Sequence, residues 1–235
     1  MIRLMRVLLS LMIAATLLAS GLRADDKDLI PSQFSKDKRA KIRGFLEKNA
    51  KPDRYVPADA KLVDAQPGSL PKPKDDKPMK NVKQYLVQIV SHRPVPGQEE
   101  VKLVDVYYYR PNPEGGKPGI TLKHTLDVTT GKQVGQTEVF LKRHTPLARE
   151  EVVDAVALAR EKSDAVQALY KGYDKVRYEF LQLMVGRKHD PHEPGDRVVR
   201  LTFTATGTKE QSAPTPVAVE VNLTRGVVVV PGAKK

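Results

Sequence analysis

The chain has 235 residues, 40% hydrophobic and 29% charged, a balance that describes a globular protein and excludes a wholly disordered one. It contains no cysteine, so neither a disulfide nor a cysteine-linked lipid anchor holds it, and burial must stabilise the fold. The formal charge of +12 favours anionic partners, but no arginine-rich helix and no aromatic platform stands among the lysines, which argues against specific nucleic-acid binding.

The first segment, residues 1–24, has the layout of an export signal. Arg3 and Arg6 give a basic start, Val7–Ala19 is uncharged and mostly apolar, and Ala19, Ser20, Gly21 and Ala24 supply small residues for cleavage. Cleavage after Gly21 and after Ala24 both fit this pattern. The apolar run is too short to span a bilayer, so a mature protein without a transmembrane segment is expected, secreted or periplasmic. Loss of Arg3, Arg6 and Arg23, with no acid beside them, would lower the formal charge by three.

Residues 25–50 read as an N-terminal segment with one short helix. Ser35 is a capping residue, and Ile42, Phe45 and Leu46 share one face of a helix over about Lys36–Lys48. From 51 to 82 prolines recur at 52, 57, 67, 71, 73 and 78 among lysines and aspartates, the composition of a linker or extended insert. Much of the basic excess falls between Lys36 and Lys83, including Lys38, Arg39, Lys41, Arg43 and Lys48.

Residues 83–143 carry four strand signals. These are Tyr85–Val90, the alternating runs Val101–Tyr109 and Ile120–Val128, and Gln133–Leu141 after the turn Thr129-Thr130-Gly131-Lys132. Residues 144–235 repeat the order. A helix opens at Pro146 and runs to about Lys162 or further, with Val152, Val153, Val156 and Ala159 as its buried stripe. Strands follow at Val176–Val185, at Val198–Ala205 (Val199, Leu201, Phe203 and Ala205 on one face), at Val217–Leu223, and at Val227–Val230 after Thr224-Arg225-Gly226.

The halves align with a period of about 95 residues. Tyr85 then falls opposite Tyr178, Gly97 opposite Gly195, and Val128-Thr129-Thr130-Gly131 opposite Leu223-Thr224-Arg225-Gly226. The predicted fold class is α+β: two tandem cystatin-like units, each one helix packed on a four-stranded antiparallel sheet.

Particular residues in the second half carry a resemblance. Pro146-Leu147, Glu150-Glu151-Val152, Val176-Arg177-Tyr178, Glu193-Pro194-Gly195-Asp196-Arg197 and Val221-Asn222-Leu223-Thr224-Arg225-Gly226-Val227-Val228 are similar to the amino-terminal, cystatin-like domains of copper amine oxidases. Leu126-Asp127-Val128-Thr129-Thr130-Gly131-Lys132-Gln133-Val134 and His144-Thr145-Pro146-Leu147 extend the likeness over roughly residues 83–230. Ala148 departs from it, standing where a capping Ser or Thr is usual. The resemblance implies two peripheral domains that contribute no catalytic residue. The catalytic domain of those oxidases carries an Asn-Tyr cofactor motif and a His-x-His copper motif, and this sequence has neither. Fold transfers; oxidation chemistry does not.

The sharpest candidate site is His189-Asp190-Pro191-His192-Glu193, followed by Asp196. Imidazole and carboxylate donors suit zinc or copper, with His189 and His192 as the candidate ligands. The prolines and glycine around them equally describe a hairpin loop. His144 and Glu150 flank the second helix start without a nucleophile beside them. Tyr107-Tyr108-Tyr109 reads either as a stacking surface or as sheet packing, and Asn222-Leu223-Thr224 is an N-glycosylation acceptor pattern.

The expected function is an exported, non-enzymatic binding or scaffold protein without a cofactor. Its partner would be another protein or an envelope polymer, with weak attraction to polyanions. An accessory subunit of a separately encoded amine oxidase and a metal-binding protein are the alternatives.

Overall fold

The computed structural model describes residues 29–64, 82–93, 102–141, 143–185, 192–206 and 215–231. The expected leader at 1–24, His189 and much of the Pro/Lys insert lie outside the described residues. The chain is α+β. Among the described residues there are three helices, a mixed six-stranded sheet and a four-stranded antiparallel sheet. None of these helices is long and apolar enough to cross a membrane. Two compact units divide the chain: the hairpin tip Tyr109–Thr121 belongs with the residues from Phe140 onward, and the rest of that hairpin with the N-terminal part.

In the first unit, α1 (Lys36–Asn49) begins where the Ser35 hydroxyl accepts from the Lys38 N–H, the cap its sequence predicts. Ile42, Phe45 and Leu46 form its buried stripe. The strands are β1 (Lys61–Leu62), β2 (Tyr85–Ser91), β3 (Leu103–Arg110), β4 (Ile120–Asp127), β5 (Lys132–Gln133) and β6 (Glu138–Phe140), in the order β1-β6-β4-β3-β2 with β5 also on β4. The His124 ring of β4 meets the Phe45 ring of α1 at 5.6 Å and the Tyr108 ring of β3 at 5.7 Å, both edge-on, which seats the helix on the sheet.

Two features correct the expected four-stranded antiparallel sheet. The single strand expected over Gln133–Leu141 is split into β5 and β6, because Gly135 adopts a positive φ of 72° that breaks the extended path. The stretch expected as a linker or insert adds β1, whose Lys61 N–H donates to the Thr137 carbonyl at 2.8 Å. It also buries Tyr55 and brings the Asp59 carboxylate to the Thr137 hydroxyl.

The second unit contains α2 (Arg149–Lys162), α3 (Asp164–Gly172) and strands β7 (Lys175–Met184), β8 (Arg197–Thr206), β9 (Val217–Asn222) and β10 (Val227–Val229), ordered β10-β9-β8-β7. The one helix expected here is two. Ser163 ends α2, and its hydroxyl then caps α3 by accepting from the Val166 N–H. The buried stripe of α2 runs through Val152, Ala155 and Ala159, whereas Val153, expected inside, is 49% exposed. Ala155 and Ala159, with Val166 and Leu169 of α3, cover Val199, Leu201, Phe203 and Ala205 of β8 and Val219 and Val221 of β9. The alternation read in β8 therefore marks the core face correctly.

The last hairpin turn of each sheet is built alike. In the first, the Asp127 carboxylate accepts from the Thr130 N–H at 3.3 Å, and from the Thr129 N–H at 2.7 Å besides, while its carbonyl accepts from the Gly131 N–H at 2.8 Å. In the second, the Asn222 side chain accepts from the Arg225 N–H at 3.0 Å and its carbonyl from the Gly226 N–H at 2.8 Å. Gly131 (φ 73°) and Gly226 (φ 64°) take the left-handed conformation that closes each turn, which is costly for any other residue.

Candidate functional site

Two buried ionic networks and one surface groove hold the residues with chemical potential. The first network centres on Arg197, the first residue of β8. Its guanidinium pairs with Glu151 of α2 in a two-pronged arrangement, Nε to Oε1 and Nη2 to Oε2 at 2.6 Å each. It also donates to the carbonyls of Thr145 and Pro146 and lies 4.1 Å over the Tyr109 ring. Ala148 has no side-chain acceptor, so only half of a capping box forms: the Ala148 N–H donates to Glu151 at 2.9 Å. Gln182 of β7 completes the clasp, donating to the Thr145 carbonyl and accepting from the Leu147 N–H. Burial raises the Tyr109 phenol above its ordinary pKa against the opposing pull of Arg197.

The second network contains the sequence-predicted metal candidate. His192 is buried, not at a loop tip. Its Nε2 faces Glu220 of β9 at 3.0 Å, and its Nδ1 faces the Asn222 amide nitrogen at 3.2 Å. The Asn222 amide is oriented by the Arg225 N–H on its oxygen and by Asp196 on its nitrogen at 2.7 Å. These contacts assign Nδ1 as the acceptor and Nε2–H as the donor to Glu220. Both ring nitrogens are therefore engaged by protein. Asp196 Oδ2 also accepts from the Glu193 N–H and from Arg225 Nε, while its Oδ1 is buried without a hydrogen-bond partner. Among the described residues no group of three or more His, Cys, Asp or Glu side chains is arranged to hold a metal ion. His189, the other candidate ligand, lies outside the described residues.

Glu220 also takes two bonds from the Arg200 guanidinium. Burial works to raise its pKa, but the hydrogen bonds from Arg200 and His192, with the Arg200 charge, outweigh this and hold it below the ordinary glutamate value. A carboxylate depressed in the folded state binds fewer protons there than in the unfolded chain. Its stabilisation is therefore complete above the unfolded value, about 4.3, and is lost as pH falls through the folded one. Urea unfolding of wild type and Glu220→Gln at pH 7 and at pH 3 is expected to show a stability gap that narrows at the lower pH. A constant gap would mean that the carboxylate charge contributes nothing.

The other predicted positions are placed plainly. Glu150 stays half-buried at the start of α2, and its neighbour Glu151 carries the ion pair. His144 is exposed. All three tyrosines at 107–109 are buried, so they are sheet packing and present no stacking surface. Asn222 is 0% exposed with its amide fully used, so in the folded chain the glycosylation pattern is closed to modification.

The groove lies in the first unit, between α1 and the β4–β5 turn. It has a volume of about 600 Å³ and is lined by Lys41, Phe45, Lys48 and Asn49 on the helix side and by Lys132 and Gln133 on the other. No acidic side chain lines it. The Lys41 ammonium donates to the Thr129 carbonyl, which fixes one cation at the rim. Lys41 and Lys48 belong to the basic stretch read in the sequence. Two helical turns separate them, so they share a face, but nothing in the sequence joined Lys132 to them.

Comparison of the chain with protein-family models, curated proteins and solved structures finds no match.

Proposed function

We propose that this chain is an exported, non-catalytic binding protein built from two cystatin-like units and that its first unit grips an anionic polymer of the cell envelope. The observation that carries the ligand class is the groove, where three lysines without a facing acid surround a cleft of about 600 Å³. The basic, apolar and small-residue order of the first 24 residues supports export. Two hairpin turns that share one side-chain and one backbone hydrogen bond and a left-handed glycine support a duplicated unit. The likeness to amine-oxidase amino-terminal domains agrees with a binding role. So does the use of Arg197, Glu151, His192 and Glu220 to tie strands and helix together.

Calorimetric titration with sulfated dextran, and with neutral dextran of equal length, tests this reading. Binding is expected for the sulfated polymer alone, weakening steeply between low and physiological salt. The combined change Lys41→Glu, Lys48→Glu and Lys132→Glu should lower affinity by about tenfold or more, equivalent to about 1.4 kcal/mol. The same charge change at the exposed Lys36, Lys102 and Lys171 is the control. Equal losses in both variants would remove the groove as the site.

A further inference from the structure

The open edge of the second sheet is β7. It pairs with β8 along all ten of its residues, from Lys175↔Thr206 to Met184↔Arg197, and no strand among the described residues pairs with its other side. Long edges are ordinarily blunted by proline, a bulge or inward charges. β7 contains no proline, and its register with β8 is unbroken. Four of its seven exposed residues are apolar, with Lys175, Arg177 and Glu179 as the other three: Tyr178 is 40% exposed, Phe180 56%, Leu181 58% and Met184 63%.

Tyr178 and Phe180 stand directly opposite Phe203 and Leu201, so all four share the face on which α2 and α3 pack. The two β8 residues are fully buried while their β7 neighbours remain open. The apolar core of the unit thus continues to the edge and stops uncovered.

We infer that β7 is a self-association surface, pairing antiparallel with β7 of a second copy of this chain about a two-fold axis at Tyr178. The charge pattern of the strand selects both the partner and the register. Two antiparallel copies keep their apolar faces together only when the axis passes through a residue. An axis at Arg177 sets arginine against arginine, and an axis at Glu179 sets glutamate against glutamate. An axis at Phe180 leaves Glu179 facing Leu181. The axis at Tyr178 places Arg177 opposite Glu179 of the second copy, twice, on one face. On the other face it places Val176 against Phe180 and Tyr178 against Tyr178, adding six apolar side chains to the paired core edges. Lys175 then lies over Leu181, its aliphatic stem covering the leucine. The outcome is a continuous eight-stranded sheet across the dimer.

Because the protein has no cysteine, a disulfide can report the register. Directly opposed residues in an antiparallel pair have Cα atoms about 4.5–5.5 Å apart, within disulfide reach. Mature protein carrying Tyr178→Cys is expected to form a covalent dimer under mild oxidation. Phe180→Cys, four residues out of register with its own copy, is not. In sedimentation velocity over a micromolar concentration series, wild type should dimerise. Arg177→Glu and Glu179→Arg should each weaken the dimer at least about tenfold, and the double variant should restore it. Circular dichroism of each variant reports folding separately. A wild type that stays monomeric, cross-linking at Phe180→Cys in preference to Tyr178→Cys, or single charge reversals without effect would each overturn the assignment.

Discussion

Arg197→Ala is expected to destabilise the second unit by about 3–5 kcal/mol, because it strands the Glu151 carboxylate inside the protein. Glu151 is almost fully buried, and two of its hydrogen bonds come from this one guanidinium. The Thr145 and Pro146 carbonyls lose a donor at the same time, and the Tyr109 ring loses its cation. A charged group left in a poorly solvated site must find water or take up a proton, and both routes loosen the packing around α2. The double replacement Arg197→Leu with Glu151→Leu removes both charges together. It is expected to recover much of the loss, since desolvation of the pair offsets most of its attraction. Urea unfolding of the wild type and both variants checks this, with hydrogen exchange locating the effect in residues 143–206. A double variant less stable than Arg197→Ala would show that the pair contributes net stability.

Asn222→Leu is the second large effect, on the order of 3 kcal/mol from several buried polar atoms losing partners together. The Asn222 amide donates to Asp196 and to His192, and its oxygen accepts from the Arg225 N–H. The leucine has similar volume, so the loss measures hydrogen bonding and not a cavity. Asp196 is the most affected neighbour, because one of its carboxylate oxygens already lacks a partner. Thermal unfolding gives the magnitude. The nitrogen shifts of His192 supply a local signature, because Nδ1 loses its donor while Nε2 keeps Glu220. A loss below about 1 kcal/mol would mean that water replaces the amide without penalty.

Periodicity made the long elements legible. Ser35 with Ile42, Phe45 and Leu46 located α1, and the alternation through Val199, Leu201, Phe203 and Ala205 fixed the core face of β8. The misses have separate causes. β1 has two residues, too few to express any period, and its existence depends on the partner edge at β6. The break between α2 and α3 was signalled by Ser163-Asp164, a good capping pair, but the apolar pattern on either side hid it. Val153 was placed inside as part of an apolar stripe with Val152, Val156 and Ala159. The actual face is set by Ala155 and Ala159, whose small side chains let the helix approach β8 closely.

The site residues were less legible because their partners are distant in sequence. Adjacent glutamates at 150 and 151 differ by 100° around the helix, and only contact with Arg197, 46 residues away, selects Glu151. The histidine at 192 was noticed for its neighbours in sequence, Asp190 and Glu193. Its ring is instead held by Glu220 and Asn222, from the opposite strand of the sheet.

The paired turns carry a consequence for how the two halves can change over generations. Both use an Asp or Asn oxygen to receive a backbone N–H beside a left-handed glycine. Asp127, half-exposed at the end of β4, is bonded by Thr129 and Thr130 of its own turn. Asn222 performs the same local task and also holds the His192 imidazole and the Asp196 carboxylate just ahead of β8. The first position is thus free to drift among Asp, Asn and Ser. The second is frozen, because every alternative must satisfy His192, Asp196 and the Arg225 N–H together. Matching positions in the two halves therefore carry very different mutational tolerance, and likeness between the halves will erode from the first one.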